Sequence, residues 1–240
     1  MATARFRFHG ELAEFLPREQ RGAEFEHACA RAASLKNAIE AIGVPHTEVG
    51  HALVRGERAT LDRTVREGDA VEVFPWSGDA AAAPGTHDLF LADAHLGGLA
   101  RFLRMLGFDT LHENAFGDAE IRRLASQERR VVLTRDRELL KCRDIIAGCY
   151  VHERKPEAQL AEVAARYDLA ARARPFTRCL RCNLPLERVE RDAVLARLPE
   201  SVARTHREFY RCAGCDRVYW PGSHYERMRA ALGRMLSSSG

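Results

Sequence analysis

Leu89-Phe90-Leu91-Ala92-Asp93 and Val131-Val132-Leu133-Thr134-Arg135-Asp136 are short apolar runs that each finish on an aspartate. Runs of this length without polar alternation suit strands covered on both faces, as in a parallel sheet flanked by helices. Open α/β sheets take their ligands outside the carboxyl ends of the strands, so this reading puts both acids where ligands bind. Carboxylates meeting there would hold a hard divalent cation. Magnesium prefers oxygen ligands, retained waters and a phosphate, so the pattern points to metal-assisted phosphoryl chemistry.

The segment around these runs, residues 87–173, alternates strand and helix. After Asp93 comes a helix whose apolar face carries Leu96, Leu99, Ala100, Leu103 and Leu106, with Gly107 as its stop. A strand at Asp109 to His112 follows, and Asp118 opens a helix bearing Ile121, Leu124 and Ala125. Asp118 reads equally as a ligand leaning over the acidic edge and as a helix cap, and the two roles are compatible. Cys149 to His152 is a further strand, and Pro156 suits the first turn of a helix carrying Leu160, Val163, Ala164 and Tyr167. Such alternation implies crossover connections and a parallel sheet with helices on its faces. Gly97 and Gly98, costly inside a helix, point to a close approach, for which packing is the simpler reason.

Residues 1–76 have a different grammar. Phe6 and Phe8 alternate with Arg5 and Arg7, a second strand runs near Phe25 to Cys29, and Ser34 caps a helix with Leu35, Ala38, Ile39 and Ile42 on one face before Gly43. Strands return at Leu53-Val54 and, after the turn residues Gly68-Asp69, at Val71-Glu72-Val73-Phe74. This β-β-α-β-β order resembles the ubiquitin-like β-grasp fold, particularly the sulfur-carrier proteins. Those act through a free C-terminal Gly-Gly, whereas here the strand runs on into Pro75-Trp76-Ser77-Gly78. The expectation is therefore a docking or scaffolding module with a protein partner. Residues 77–86, rich in Ala, Gly and Pro, read as a linker.

Residues 174–240 contain Cys179-Leu-Arg-Cys182 and Cys212-Ala-Gly-Cys215, with 29 residues between the pairs. Each CxxC turns two thiolates toward one point, and two such knuckles complete a tetrahedral S4 zinc site. With four sulfur ligands no position is left for water, so this zinc is structural. Tyr210, Tyr219 and Trp220 lie beside the second knuckle among Arg211 and Arg217; they serve a small core or stack unpaired bases. His206 and His224 are superfluous as ligands, and Cys29, Cys142 and Cys149 read as buried thiols.

The chain has 240 residues, 46% of them hydrophobic, enough to bury a core in more than one domain. It lacks an apolar run of about 20 residues and a signal-peptide start, so the expectation is a cytoplasmic protein with no membrane association. An odd count of seven cysteines, four in CxxC pairs, fits a reducing compartment. The net charge of +3 divides into +6 from Arg174 onward and −3 before it. That basic end could face phosphates, or reflect a bias toward arginine in a chain whose lysines are Lys36, Lys141 and Lys155.

The stretch from Phe90 through Asp93-Ala-His-Leu-Gly-Gly to Thr110, the run Val131 to Leu140, and Phe209-Tyr-Arg-Cys-Ala-Gly-Cys-Asp-Arg-Val-Tyr-Trp-Pro-Gly-Ser-His224 together resemble the Mut-seven C-terminal RNase family. That resemblance implies a PIN-like nuclease fold with an appended zinc ribbon, and in some members a ubiquitin-like domain in front. It assigns Asp93, Asp118 and Asp136 to an acidic centre holding Mg2+ or Mn2+ for hydrolysis of RNA phosphodiesters. Glu138 is the choice for a fourth acid, with Asp144 behind it. Arg104 and Arg135 are the arginines expected on RNA phosphates, ahead of Arg101. Asp93-Ala-His95 also resembles the opening motif of metallophosphoesterases, but the Asn-His pair and further histidines of those enzymes are missing. The remaining alternative is a noncatalytic RNA- or ribonucleoprotein-binding adaptor with a degenerate nuclease domain.

Overall fold

A computed structural model describes residues 1–76, 88–223, 225, 226 and 230; the linker read at 77–86 and His224 lie outside the described residues. The first segment forms β1 (Ala2–Phe8), β2 (Phe25–Cys29), α1 (Leu35–Ile42), β3 (Val49–Val54), β4 (Glu57–Ala59) and β5 (Ala70–Pro75). The second forms β6 (Leu89–Ala92), α2 (Gly97–Met105), β7 (Asp109–Leu111), α3 (Asp118–Glu128), β8 (Val131–Thr134), α4 (Arg137–Lys141), β9 (Gly148–Tyr150) and α5 (Pro156–Tyr167). The third forms β10 (Leu186–Val189), α6 (Arg191–Val194), α7 (Glu200–Thr205), β11 (Phe209–Cys212) and β12 (Val218–Tyr219). No helix among the described residues is long and apolar enough to cross a membrane.

The first segment is a five-stranded sheet in the order β2-β1-β5-β3-β4, with β1 and β5 parallel and the other neighbours antiparallel. Its period-2 pattern buries Phe6, Phe8, Val71 and Val73 against Leu35, Ala38 and Ile39 of α1. The Ser34 hydroxyl accepts from the Asn37 amide at 3.2 Å, and Gly43 ends the helix at φ +122°. Strand β4 is an addition to the expected order. Arg55 and Gly56 both take positive φ, which is the tight hairpin geometry that returns the chain from β3 to β4. The Gly68-Asp69 turn holds a fully buried carboxylate: Asp69 accepts from Arg63 at 2.7 Å, Arg55 at 3.1 Å and the Arg66 amide at 2.9 Å. Burial pushes this carboxyl up, but the Arg63 hydrogen bond and its companions outweigh it and hold the group below the ordinary carboxylate value.

The described chain falls into two compact units: Met1–Thr86 with Asp118–Tyr150, and His87–Gly117 with Val151–Gly240. These units cut across the sequence segments, because residues 118–150 pack on the β-grasp module. In this first unit β8 and β9 pair in parallel. The His46 ring bonds to the Ile145 carbonyl at 3.1 Å, and Glu48, itself 2% exposed, accepts from the Tyr150 amide at 2.8 Å. Arg137 donates to the Phe15 carbonyl and stacks its guanidinium over the Phe15 ring at 4.8 Å.

In the second unit β6 and β7 pair in parallel, α2 packs on α5, and β10-β11-β12 form an antiparallel ribbon. Phe90 anchors this unit between the rings of Phe108 and Tyr167. Gly97 and Gly98 are required by packing, as expected. A Cβ on Gly97 would come within 2.9 Å of the His112 ring, and one on Gly98 within 2.6 Å of Pro156. The ribbon is tied down by Asn183, which accepts from the Thr110 amide at 3.0 Å and donates to Asp109 at 2.7 Å, and by an Arg178–Asp109 ion pair at 3.2 Å.

Candidate functional site

Both apolar runs are strands that lead into their aspartates, and each acid is also used by the backbone. Asp93, half-buried after β6, accepts from the Ala94 amide in a 3-10 turn. Asp136, exposed, is the N-cap of α4: one carboxylate oxygen accepts from the Glu138 amide at 2.8 Å and the Leu139 amide at 3.3 Å. Its second oxygen accepts no hydrogen bond among the described residues. Asp118 is the first residue of α3, exposed and likewise free of hydrogen bonds from described residues. The Cys142 thiol is pushed up by burial, pulled down by Arg122, and pushed up again by Asp144, Asp118 and Asp136. Those three acids therefore share one electrostatic neighbourhood in the first unit.

The two candidates for a fourth acid are both in ion pairs. Glu138 is exposed and accepts from Lys141 Nζ at 2.8 Å. Asp144 receives the Arg122 Nε–H on both oxygens at 2.9 and 3.0 Å, and this bond holds its carboxyl below the ordinary value. Exposed pairs of this kind contribute little to stability, so a divalent cation would displace either partner at little cost.

Among the described residues, Cys179, Cys182, Cys212 and Cys215 form the group of His, Cys, Asp or Glu side chains close enough to share an ion, with ligand atoms within 4.8 Å of one another. The Cys179–Cys215 sulfur separation is 3.6 Å, against about 3.8 Å for the edge of a tetrahedron with 2.3 Å metal–sulfur bonds. Burial pushes the Cys179 thiol up, but the Tyr219 hydroxyl at 3.1 Å and the Cys182 and Arg181 amides hold it down to about 6. Cys182 is pushed up to about 12, first by its hydrogen bond with Cys215. One thiolate thus forms readily and resists a second beside it, which is the electrostatic demand that a divalent cation meets. The donor set and spacing fit a structural metal and are compatible with a zinc ribbon.

Arg104 departs from its expected role. It is 6% exposed, and its guanidinium donates to the carbonyls of Thr110 at 2.8 Å, Leu180 at 3.1 Å and Arg181 at 3.0 Å. Burial pushes its pKa down while Glu113, Cys179, Asp109 and Cys182 push it back up. It therefore fastens α2 to the first cysteine knuckle, a task invisible in sequence because its carbonyl partners there lie 76 and 77 residues away. Arg135 is half-buried and already has interaction partners.

Sequence reasoning missed a broad cleft of about 1000 Å3 in the second unit, where Arg101, Arg181 and Arg217 meet near His112 and Tyr219. All three arginines are exposed, and none makes a hydrogen bond or ion pair with a described side chain. The available signal was positional: Arg181 sits inside the first CxxC and Arg217 two residues past the second.

These features define the class: a mixed α/β protein with parallel strand pairing, a ubiquitin-like β-grasp module in front and a four-cysteine ribbon behind. The family model described as Mut7-C RNAse domain matches residues 88–232, and that described as Mut7-C ubiquitin matches residues 1–80. The chain belongs to the Mut7-C RNAse domain family. Among solved structures, the crystal structure of the H. volcanii small archaeal modifier protein 1 matches at 20% identity, covering 32% of this chain and 100% of its own, with a TM-score of 0.27. No curated protein matches the chain.

Proposed function

We propose that this protein is a metal-dependent ribonuclease with Asp118 and Asp136 of the first unit as acidic metal ligands and Asp93 as the further acid that the family resemblance assigns. The observation that carries the reading is that, in a chain of a nuclease-type family, two strands from parallel pairs each deliver an aspartate at the carboxyl end. Hard oxygen donors suit Mg2+ or Mn2+, and Asp118 together with the second oxygen of Asp136 has coordination capacity to spare. Such an ion supplies an acidified water and charge stabilisation at the phosphate. The protein's own part is positional: the caps at Asp93 and Asp136 fix each carboxylate against backbone amides before any ion arrives, so little ordering remains for binding. Glu138 or Asp144 would leave its ion pair to complete the set.

Zinc in the four-cysteine ribbon holds its two knuckles in place and takes no part in bond breaking, since four thiolates leave it no open position. RNA is the substrate class, the β-grasp module is a scaffold packed on residues 118–150 with a docking surface for a protein partner, and the cytoplasm is the compartment. Purified full chain incubated with end-labelled RNAs and Mn2+ tests the reading. Cleavage that falls at least about 100-fold in Asp118→Asn supports it. Tight RNA binding without ion-dependent products from any RNA would favour the adaptor.

A further inference from the structure

The arginine cleft and an aromatic cavity share a wall. Leu180 and Tyr219 line both the cleft and a cavity of about 340 Å3 bounded by Met105, Phe176, Leu186, Val218, Trp220 and Tyr225. We infer that the second unit is a binding site for an unpaired RNA segment, with phosphates along Arg101, Arg181 and Arg217 and one base inserted beside Tyr219 and Trp220. The inference rests on the reading of the chain as an RNA enzyme and adds where the strand lies and in what form it is taken.

Three arguments converge on that occupant. First, charge: three exposed guanidiniums, Arg101, Arg181 and Arg217, meet at the cleft without a hydrogen bond or ion pair to a described side chain, against one carboxylate in its lining, Glu113. Guanidinium forks match phosphate oxygens and read no sequence. Second, shape: an open, arginine-lined cleft beside a smaller apolar cavity repeats the chemistry of a nucleotide, anionic backbone on one side and flat π surface on the other. A base already paired in a duplex would have to be unstacked to enter, which selects single strands. Third, construction: Arg181 lies within one cysteine knuckle and Arg217 just beyond the other, while Arg101 stands on α2 one turn from the Arg104 that bonds to the first knuckle. Metal in the ribbon therefore sets the spacing of the phosphate contacts, and the site requires a loaded ribbon.

The test is direct binding without divalent ion, in the Asp118→Asn background so that no cleavage intervenes, with zinc content checked for every variant. Fluorescence anisotropy on a labelled 12-nucleotide single strand, a 12-base-pair RNA duplex and inorganic polyphosphate gives the three arms. The expected result is that the single strand binds at least about tenfold tighter than the duplex. Replacing Arg101, Arg181 and Arg217 by Gln lowers the salt slope by about 0.7 each, Lys at the same positions preserves it, and Trp220→Phe retains binding where Trp220→Ala loses it. Unchanged affinity in the triple Gln variant, equal binding of the duplex, or binding of polyphosphate as tight as that of the strand would overturn the inference. Failure of the nuclease reading looks different: this pattern of binding intact, with no cleavage by the wild-type chain.

Discussion

The four cysteines and the aspartates are both sets of potential metal ligands, and the fold treats them in opposite ways. The thiol groups are drawn together from two knuckles with 29 residues between them, to within 4.8 Å of one another. The carboxylates of Asp93 and Asp136 are instead held by neighbouring amides, and Asp118 stands in solvent. Among the described residues, the ribbon's buried apolar side chains besides cysteine are Val194, Ala203 and Phe209, a small core for a segment of this length. A metal at the cysteines would belong to folding, whereas the acids sit on elements already formed without one.

That contrast predicts unequal consequences of disruption. Cys212→Ser, or stripping the structural metal with a strong chelator, should cost on the order of 10 kcal/mol of apparent ribbon stability, seen as metal loss and rapid proteolysis after residue 174. Asp118→Asn should leave the melting temperature unchanged while removing activity. Arg104→Ala comes next: losing the three carbonyl bonds of a buried guanidinium should destabilise the second unit by about 3 kcal/mol and speed zinc release, whereas Arg101→Ala changes neither. Denaturant midpoints and chelator-release rates of the two variants check this directly.

Smaller effects sharpen the account of the first unit. Asp69→Asn should cost about 2 kcal/mol near neutral pH, because Arg63 loses its buried partner. The folded carboxyl of Asp69 lies below its unfolded value of about 3.9, so its contribution is fully present above that pH and fades as pH falls through the lower folded value. Wild type and Asp69→Asn should therefore converge in stability in strong acid, measured as denaturation midpoint against pH. Least of all, Asp136→Ala should cost about 1 kcal/mol as a lost helix cap and Asp136→Asn almost nothing, although both abolish cleavage.

Much of this architecture was legible in the sequence. The Phe6/Phe8 alternation, the Ser34 cap, the Gly43 and Gly107 stops and the paired CxxC motifs each encode a local geometry, and each appears as read. The short strand β4 escaped because Glu57-Arg58-Ala59 is polar, and only the Arg55-Gly56 turn announces it. Arg104 is expected on phosphate ahead of Arg101, but carbonyls from a distant knuckle occupy it instead, and no local pattern announces them. The packing of residues 118–150 on the β-grasp module was equally hidden, since it depends on single contacts such as Arg137 on Phe15 and Glu48 on Tyr150.

The most direct measurement is the rate of RNA cleavage by zinc-loaded full chain as Mn2+ is titrated, for wild type, Asp93→Asn and Asp136→Asn. The account predicts saturable, ion-dependent cleavage in the wild type and a loss of at least about 100-fold in both variants, with zinc content and melting temperature retained. Full activity in either variant, or cleavage indifferent to the added ion, would contradict it.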